Sequence, residues 1–438
     1  MHVEVIIRID GMDRATVKSE ITGTARGREE QVEELKQRVG VPVMEQAVQE
    51  IANSVPRPVC CGRPMHSRGR ASLTVLSLSG EVYIERQRYR CRTCRREIYP
   101  ADALICFGRH RVTYPLAKRI CQLSTVEHFT RLEQLVADQH GVHLGHAELL
   151  QLSQEAGGMA EQERRVDLEH WRDCRGPRGA WPEPMVRPKR IYVSCDGIMY
   201  CTNFREPDPR HPGERRLIWQ QMKVGCVYWQ NDRDQWQKQM VWGRDTPEDF
   251  GAALFRVACE CGYREAPEKI FASDGGEWCW DIQARYFSQA HGILDWYHAN
   301  EHISQAAPQL FAKAEAARNW AKAAESVLWN EGGEALVTWL KSEQLRLKWR
   351  GAKRTAWNAL RHYFELRTAW TDYPRYRERD WQIGTGMMES TVKQLVGIRL
   401  KGPGMHWSEA GALSMTALRA QDLNGRWHQF WNTLQLSA

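Results

Sequence analysis

The chain lacks any run of about 18 apolar residues, so no membrane-crossing helix is expected. Residues 1–10 carry no basic stretch leading into an apolar core and a small-residue cleavage site, and no secretory signal is read there. No internal repeat and no low-complexity tract is found along the 438 residues. Charge of one sign is not extreme: the net value is +7 with a pI near 8.7, compatible with a polyanion partner without establishing one. What is present is more informative. Thirteen cysteines without an export signal read as reduced thiols and metal ligands rather than a disulfide framework. The expected location is cytoplasmic and nucleoid-associated, with no membrane partner. Hydrophobic residues at 42% and charged residues at 26% describe a folded chain with room for two to four domains. Nineteen tryptophans promise large cores and, at some positions, flat faces for stacking.

Periodicity divides the chain. Residues 1–58 read as a strand alternating through Val3, Val5, Ile7 and Ile9, then a helix over 28–53 ended by Pro56 and Pro58. Residues 59–112 hold five cysteines, four of them flanking two alternating runs that Gly80 joins as a hairpin. Residues 113–171 turn helical. Ser124 and Glu127 match a capping box, and Gly141 and Gly145 separate two helices in a helix-turn-helix-like order that any antiparallel pair shares. Residues 172–188, rich in Gly and Pro, read as a linker. From 189 to 302 the pattern is three strands, a helix, a strand, a helix and a strand; a long helical stretch (303–382) and a C-terminal part (383–438) follow.

Three acids stand out in this half. Asp196 in Ser194-Cys195-Asp196-Gly197 and Asp274 in Ser273-Asp274-Gly275-Gly276 each close a short apolar run that reads as a buried strand, with a glycine to turn the chain. Glu389 follows the Gly384-Thr385-Gly386 turn. A lone Asp-Gly is usually only a turn. Two of them ending strands, with an acid beyond, point to hard oxygen ligands for Mg²⁺ or Mn²⁺. A pair of such ions about 4 Å apart serves phosphodiester displacement. Glu301, close behind the last strand, is the rival third acid.

With these residues in place, the second half resembles a bacterial insertion-sequence transposase of the DDE class, Mutator-like branch. The likeness rests on the Asp196, Asp274 and Glu389 segments, on Asp295-Trp296-Tyr297-His298, and on Arg399-Leu400-Lys401-Gly402 followed by Trp407. It implies an α/β ribonuclease H-like catalytic domain with a large all-α insertion. It favours Glu389 over Glu301, gives Asp295 and His298 a catalytic part, and makes Arg399 and Lys401 DNA contacts. The plainer reading of His298, as a residue capping a helix, stands beside its catalytic one, because a histidine near a metal site can also orient a phosphate or buffer a leaving oxygen.

The cysteines form a second constellation. Cys91-Arg92-Thr93-Cys94 is a CxxC knuckle, and Cys60-Cys61-Gly62 precedes it. Two knuckles flanking a hairpin describe a zinc ribbon with a structural Zn²⁺. Because the first knuckle is CC, either both cysteines bind or His66 completes the set; a redox CxxC is the rival reading. Arg86, Arg88, Arg90, Arg92, Arg95 and Arg96 surround the knuckle and are read as phosphate contacts, against the plainer reading of a solvated strand face. Cys195, Cys226 and Cys279 read as small core residues. The expected whole is a zinc-ribbon and helical DNA-binding region ahead of a two-metal catalytic domain that acts on element ends and target DNA as a dimer or larger assembly. A ribonuclease H-like nuclease without strand transfer and a non-catalytic zinc-dependent DNA-binding protein are the alternatives.

Overall fold

The computed structural model describes residues 1–174, 183–211 and 213–436. Residues 175–182, inside the 172–188 linker read from composition, lie outside the described residues. The chain forms two compact units, one of residues 1–161 and from 417 onward, the other of 162–416.

The first unit opens with an antiparallel pair, β1 (His2–Ile9) and β2 (Met12–Glu20), and a long helix, α1 (Ala25–Ser54). Two short strands, β3 (Val59–Cys60) and β4 (Arg63–Pro64), lead into the hairpin β5 (His66–Ser77) and β6 (Gly80–Arg90), with β7 (Glu97–Ile98) added to its edge. Ser77 pairs with Gly80, the turn expected from the sequence. Alternation works here as elementary strand geometry requires: Val82 and Ile84 point inward with Leu73 and Val75 to meet Val48 and Ala52 of α1. Helix α2 (Pro100–Ile105) closes this core, and α3 (Tyr114–Ser124), α4 (Phe129–His140) and α5 (His146–Cys174) follow. The capping box is not formed. Ser124 ends α3 with its hydroxyl donated to the Cys121 carbonyl, and α4 starts after His128 without a side-chain cap. Hydrophobic burial at Phe129, Leu132 and Val136 sets that helix instead.

The second unit is built on a five-stranded sheet: β8 (Arg190–Pro207), β9 (Arg215–Gln230), β10 (Trp236–Gly243), β11 (Glu268–Ser273) and β12 (His291–Leu294) in the order β10-β9-β8-β11-β12. The first three are antiparallel, while β8, β11 and β12 run parallel. Ile270, Phe271 and Ala272 of β11 are all buried, as a strand covered on both faces demands. Helices α6 (Pro247–Glu260) and α7 (Glu277–Tyr286) alternate with the strands. A helical region follows: α8 (Trp296–Leu310), α9 (Ala314–Glu331), α10 (Gly333–Leu347), α11 (Gly351–Glu365) and α12 (Tyr373–Glu378). Trp320, Trp349, Trp357 and Trp381 are buried in the unit. Then α13 (Gly386–Val392) continues through one π-helical turn into α14 (Ile398–Leu400). Helix α15 (Glu409–Leu423) spans the division between the units, and α16 (Trp427–Leu436) belongs to the first. There Arg419 donates to the Thr125 carbonyl and Trp431 packs 5.3 Å from Phe107.

One strand differs from its expectation. Asp196 does not end a strand, because β8 runs on through Gly197 to Pro207. Gly197 makes room rather than a turn: a Cβ there would collide with the Gln221 side-chain amide. Asp274 does follow a strand end, and Gly275, at φ +107°, reverses the chain as only glycine does readily.

Candidate active site and cysteine cluster

The sheet brings the two aspartates level. Each β8–β11 pair, from Arg190↔Glu268 to Ser194↔Ala272, is offset by the same number of residues, and extending that register two places sets Asp274 beside Asp196. Neighbouring strands lie about 5 Å apart. Likewise Leu294 pairs with Ser273, which sets Asp295 next to Asp274 on the far side. Burial first, and then the Asp274 carboxylate, push Asp196 up to about 6. The Gly197 N–H, donating at 2.6 Å, and His298 oppose this, while Glu389 adds to it. Glu389 in the first turn of α13 is therefore within electrostatic reach of Asp196, although it is far away in sequence. No lysine or arginine figures among the charges acting on Asp196, where His298 is the one side chain that opposes the shift.

Hard carboxylates short of positive charge suit a divalent cation. The three oxygens are not gathered as tightly as a single-ion cage: among the described residues only the cysteine cluster brings three or more ligand atoms within 4.8 Å of one another.

The other acids are otherwise engaged. Asp295 is 3% exposed. Its Oδ1 accepts from the His298 N–H at 2.6 Å, capping α8, and its Oδ2 accepts from both the N–H and the hydroxyl of Thr385. Asp295, expected to be catalytic, thus links α8 and the start of α13 at the sheet edge, with both of its oxygens already accepting hydrogen bonds. Glu301 accepts from Gln305 and lies 3.7 Å from His298 Nδ1.

Sequence reasoning missed two residues at this site. Tyr363 and Arg367, at the end of α11 and just beyond it, lie over Gly275: a Cβ there would be 3.2 Å from Tyr363 Oη and 3.4 Å from Arg367 Nε. Arg367 donates to the Gly275 carbonyl at 3.1 Å, yet its Nε and the Tyr363 hydroxyl are buried without a partner. Burial, with Asp274 and Asp295 adding to it against Arg367, pushes Tyr363 up to about 12, so its phenol remains a donor. His302 stacks on the Tyr363 ring at 3.7 Å. No local signal marks these side chains; only the helical region's return to the sheet assembles them.

Arg399 is not available to DNA. It is 2% exposed and lies 4.9 Å over the Trp407 ring. Lys401 is exposed. A groove of about 540 Å³ on α10 and α11 gathers Lys341, Lys348, Arg350 and Arg354 beside Trp349 and Trp357.

In the first unit the four cysteine sulfurs converge. Adjacent strand residues normally face opposite ways. Cys61 and Gly62 both take left-handed φ, which turns the chain and leaves the Cys60 and Cys61 sulfurs 3.9 Å apart. Cys60 and Cys94 are 3.5 Å apart. A tetrahedral zinc with Zn–S near 2.3 Å requires S···S of about 3.8 Å, so the cluster fits that ion. The Cys94 and Thr93 backbone N–H groups lower Cys91 to about 6, whereas hydrogen bonding with the Cys94 and then the Cys91 thiol raises Cys60 to about 12. His66 is not among the converging ligands. Arg86 is internal: it pairs with Asp102, donates to the Ala71 and Ser72 carbonyls and lies 4.1 Å over Tyr99. Arg92, Arg95 and Arg96 are exposed, and Arg88 and Arg90 are half-buried. Buried Cys195, Cys226 and Cys279 are core residues.

No protein-family model and no curated protein matches this chain. Among the described residues, no helix is long and apolar enough to cross a membrane.

Proposed function

We propose that the chain is a DDE-class DNA transposase, with a ribonuclease H-like catalytic unit and a zinc-bearing DNA-binding unit. The supporting observation is the level placement of Asp196 and Asp274 on adjacent parallel strands, with Glu389 acting on the same carboxylate. Asp196, Asp274 and Glu389 would hold Mg²⁺ or Mn²⁺, which supplies the Lewis acidity for activating the attacking oxygen and stabilising the leaving one. His298 would orient the scissile phosphate, and Lys401 would meet its flanking backbone. The reaction is hydrolysis of the phosphodiester at an element end, freeing a 3′-hydroxyl, followed by attack of that hydroxyl on target DNA. Cys60, Cys61, Cys91 and Cys94 would hold a structural Zn²⁺ that steadies the end-recognition surface. Two ends must be held together, so a dimer or larger assembly carries out the reaction.

The test uses the full chain, Mg²⁺ and DNA carrying the sequences that lie on either side of the gene. Nicked and joined products are expected. Asp196→Asn, Asp274→Asn and Glu389→Gln should each lower turnover roughly 10³-fold while the protein stays folded. Wild-type turnover in Glu389→Gln with loss in Glu301→Gln makes Glu301 the third acid. Cleavage without joining makes the protein a nuclease. A second reading, a zinc-dependent DNA-binding protein without catalysis, is favoured by the tight convergence of sulfurs and not of carboxylates. It predicts binding that persists when Mg²⁺ is withheld, and no cleavage at all.

A further inference from the structure

We propose that a cavity beside the four cysteines is a binding site for a backbone phosphate of duplex DNA. The cavity, of about 480 Å³, is walled by His66, Ser67 and Arg68 at the start of β5, by Arg90 at the end of β6, and by Arg92 and Arg95 of the second knuckle. These come from two stretches of chain, 66–68 and 90–95, that pairing holds in place: His66 lies opposite Arg90, and the Cys91 N–H bonds the Arg96 carbonyl at 2.9 Å. Among the described residues no acidic side chain lies within 4 Å of Arg68, Arg92 or Arg95; Arg90 alone has one, Glu97 at 3.7 Å. Four guanidiniums against one carboxylate and the two net negative charges of a zinc tetrathiolate leave the cavity positive. Guanidinium forks arriving from several sides match a tetrahedral oxyanion, and the volume admits the adjoining sugar as well. Cys91 forms part of the wall, so the cluster and the anion site share one support. Neither Arg68 nor Ser67 belongs to the arginine run read from sequence, whereas Arg86, which does, takes no part.

The site rests on the nucleic-acid reading above but not on catalysis. The test is anisotropy titration of a labelled duplex with the full chain in an Asp196→Asn background, across a salt series. Arg68→Ala, and separately the double variant Arg92→Ala/Arg95→Ala, should weaken binding several-fold. Each should also lower the slope of log K against log salt by about 0.9 for every phosphate no longer neutralised. Arg68→Lys should restore the slope. Arg8→Ala, which removes a guanidinium paired with Asp13 at 2.7 Å on the first hairpin, should change neither. Zinc content is measured for every variant; should the knuckle pair shed metal, Arg68→Ala decides. An unchanged slope in Arg68→Ala, an equal loss in Arg8→Ala, or a loss confined to single-stranded RNA overturns the site. An inactive wild-type protein that still shows the slope change sinks the transposase reading and leaves the phosphate site standing.

Discussion

Asp295→Ala removes a buried carboxylate that links two helices to one sheet edge. The His298 N–H loses its cap, and the Thr385 N–H and hydroxyl lose their shared acceptor in a site that is 3% exposed. An N-cap is worth about 1 kcal/mol, and a hydrogen bond to a charged group about 1.5–3 kcal/mol. With donors left unpaired, the expected loss is about 4 kcal/mol. A unit of this size loses about 2–4 °C per kcal/mol, so melting should fall by about 10 °C. Thr385→Val keeps the N–H bond and loses only the hydroxyl, for a cost of about 1 kcal/mol. Cleavage should fall with both variants because α13, which carries Glu389, is no longer fixed: the Glu389 N–H bonds the Thr385 carbonyl at 2.9 Å. Calorimetry and a cleavage assay on the same samples separate the roles. Wild-type melting of Asp295→Ala with cleavage abolished refutes this account and puts Asp295 in contact with the reacting atoms.

Other outcomes follow from the same geometry. In metal-free protein, Asp196 with its raised pKa binds a proton more tightly folded than unfolded, so stability falls as pH rises through about 6 and is regained toward pH 4. Asp196→Asn should remove that dependence and stabilise the metal-free protein above pH 6 by at most about 3 kcal/mol; unfolding curves of the two proteins that stay parallel across this range contradict it. Tyr363→Phe deletes a buried hydroxyl that has no partner, so it should leave melting unchanged or slightly raised, yet slow cleavage about tenfold; a clear loss of stability instead means an internal partner exists. Elemental analysis should find one zinc per chain, and Cys91→Ser should lose it and loosen β3, β4 and the end of β6 in hydrogen exchange; full protection without metal argues against the ion.

Much of the strand order was legible because short apolar runs bounded by glycine leave few other readings, as at 270–276 and around Gly80. Gly197 misled because a glycine that vacates room for Gln221 looks, in sequence, like one that turns the chain. The Ser124–Glu127 pattern failed for a related reason: tertiary burial of Phe129 set the helix start, and the local hydrogen-bonding option went unused. Charge alone could not distinguish Arg86 and Arg399, enclosed by Asp102 and Trp407, from arginines that meet solvent. Tyr363 and Arg367 were invisible because their significance depends on Gly275, about ninety positions earlier in the chain.

The first unit is completed by residues from 417 onward, with 162–416 intervening. On a ribosome moving at about 5–20 residues per second, the partners of Thr125 and Phe107 emerge tens of seconds after those residues do. During that interval the exposed face of α3 is a target for chaperones and proteases. A premature stop shortly before Arg419 would therefore leave the sheet-based unit intact and strip the amino-terminal one of part of its core.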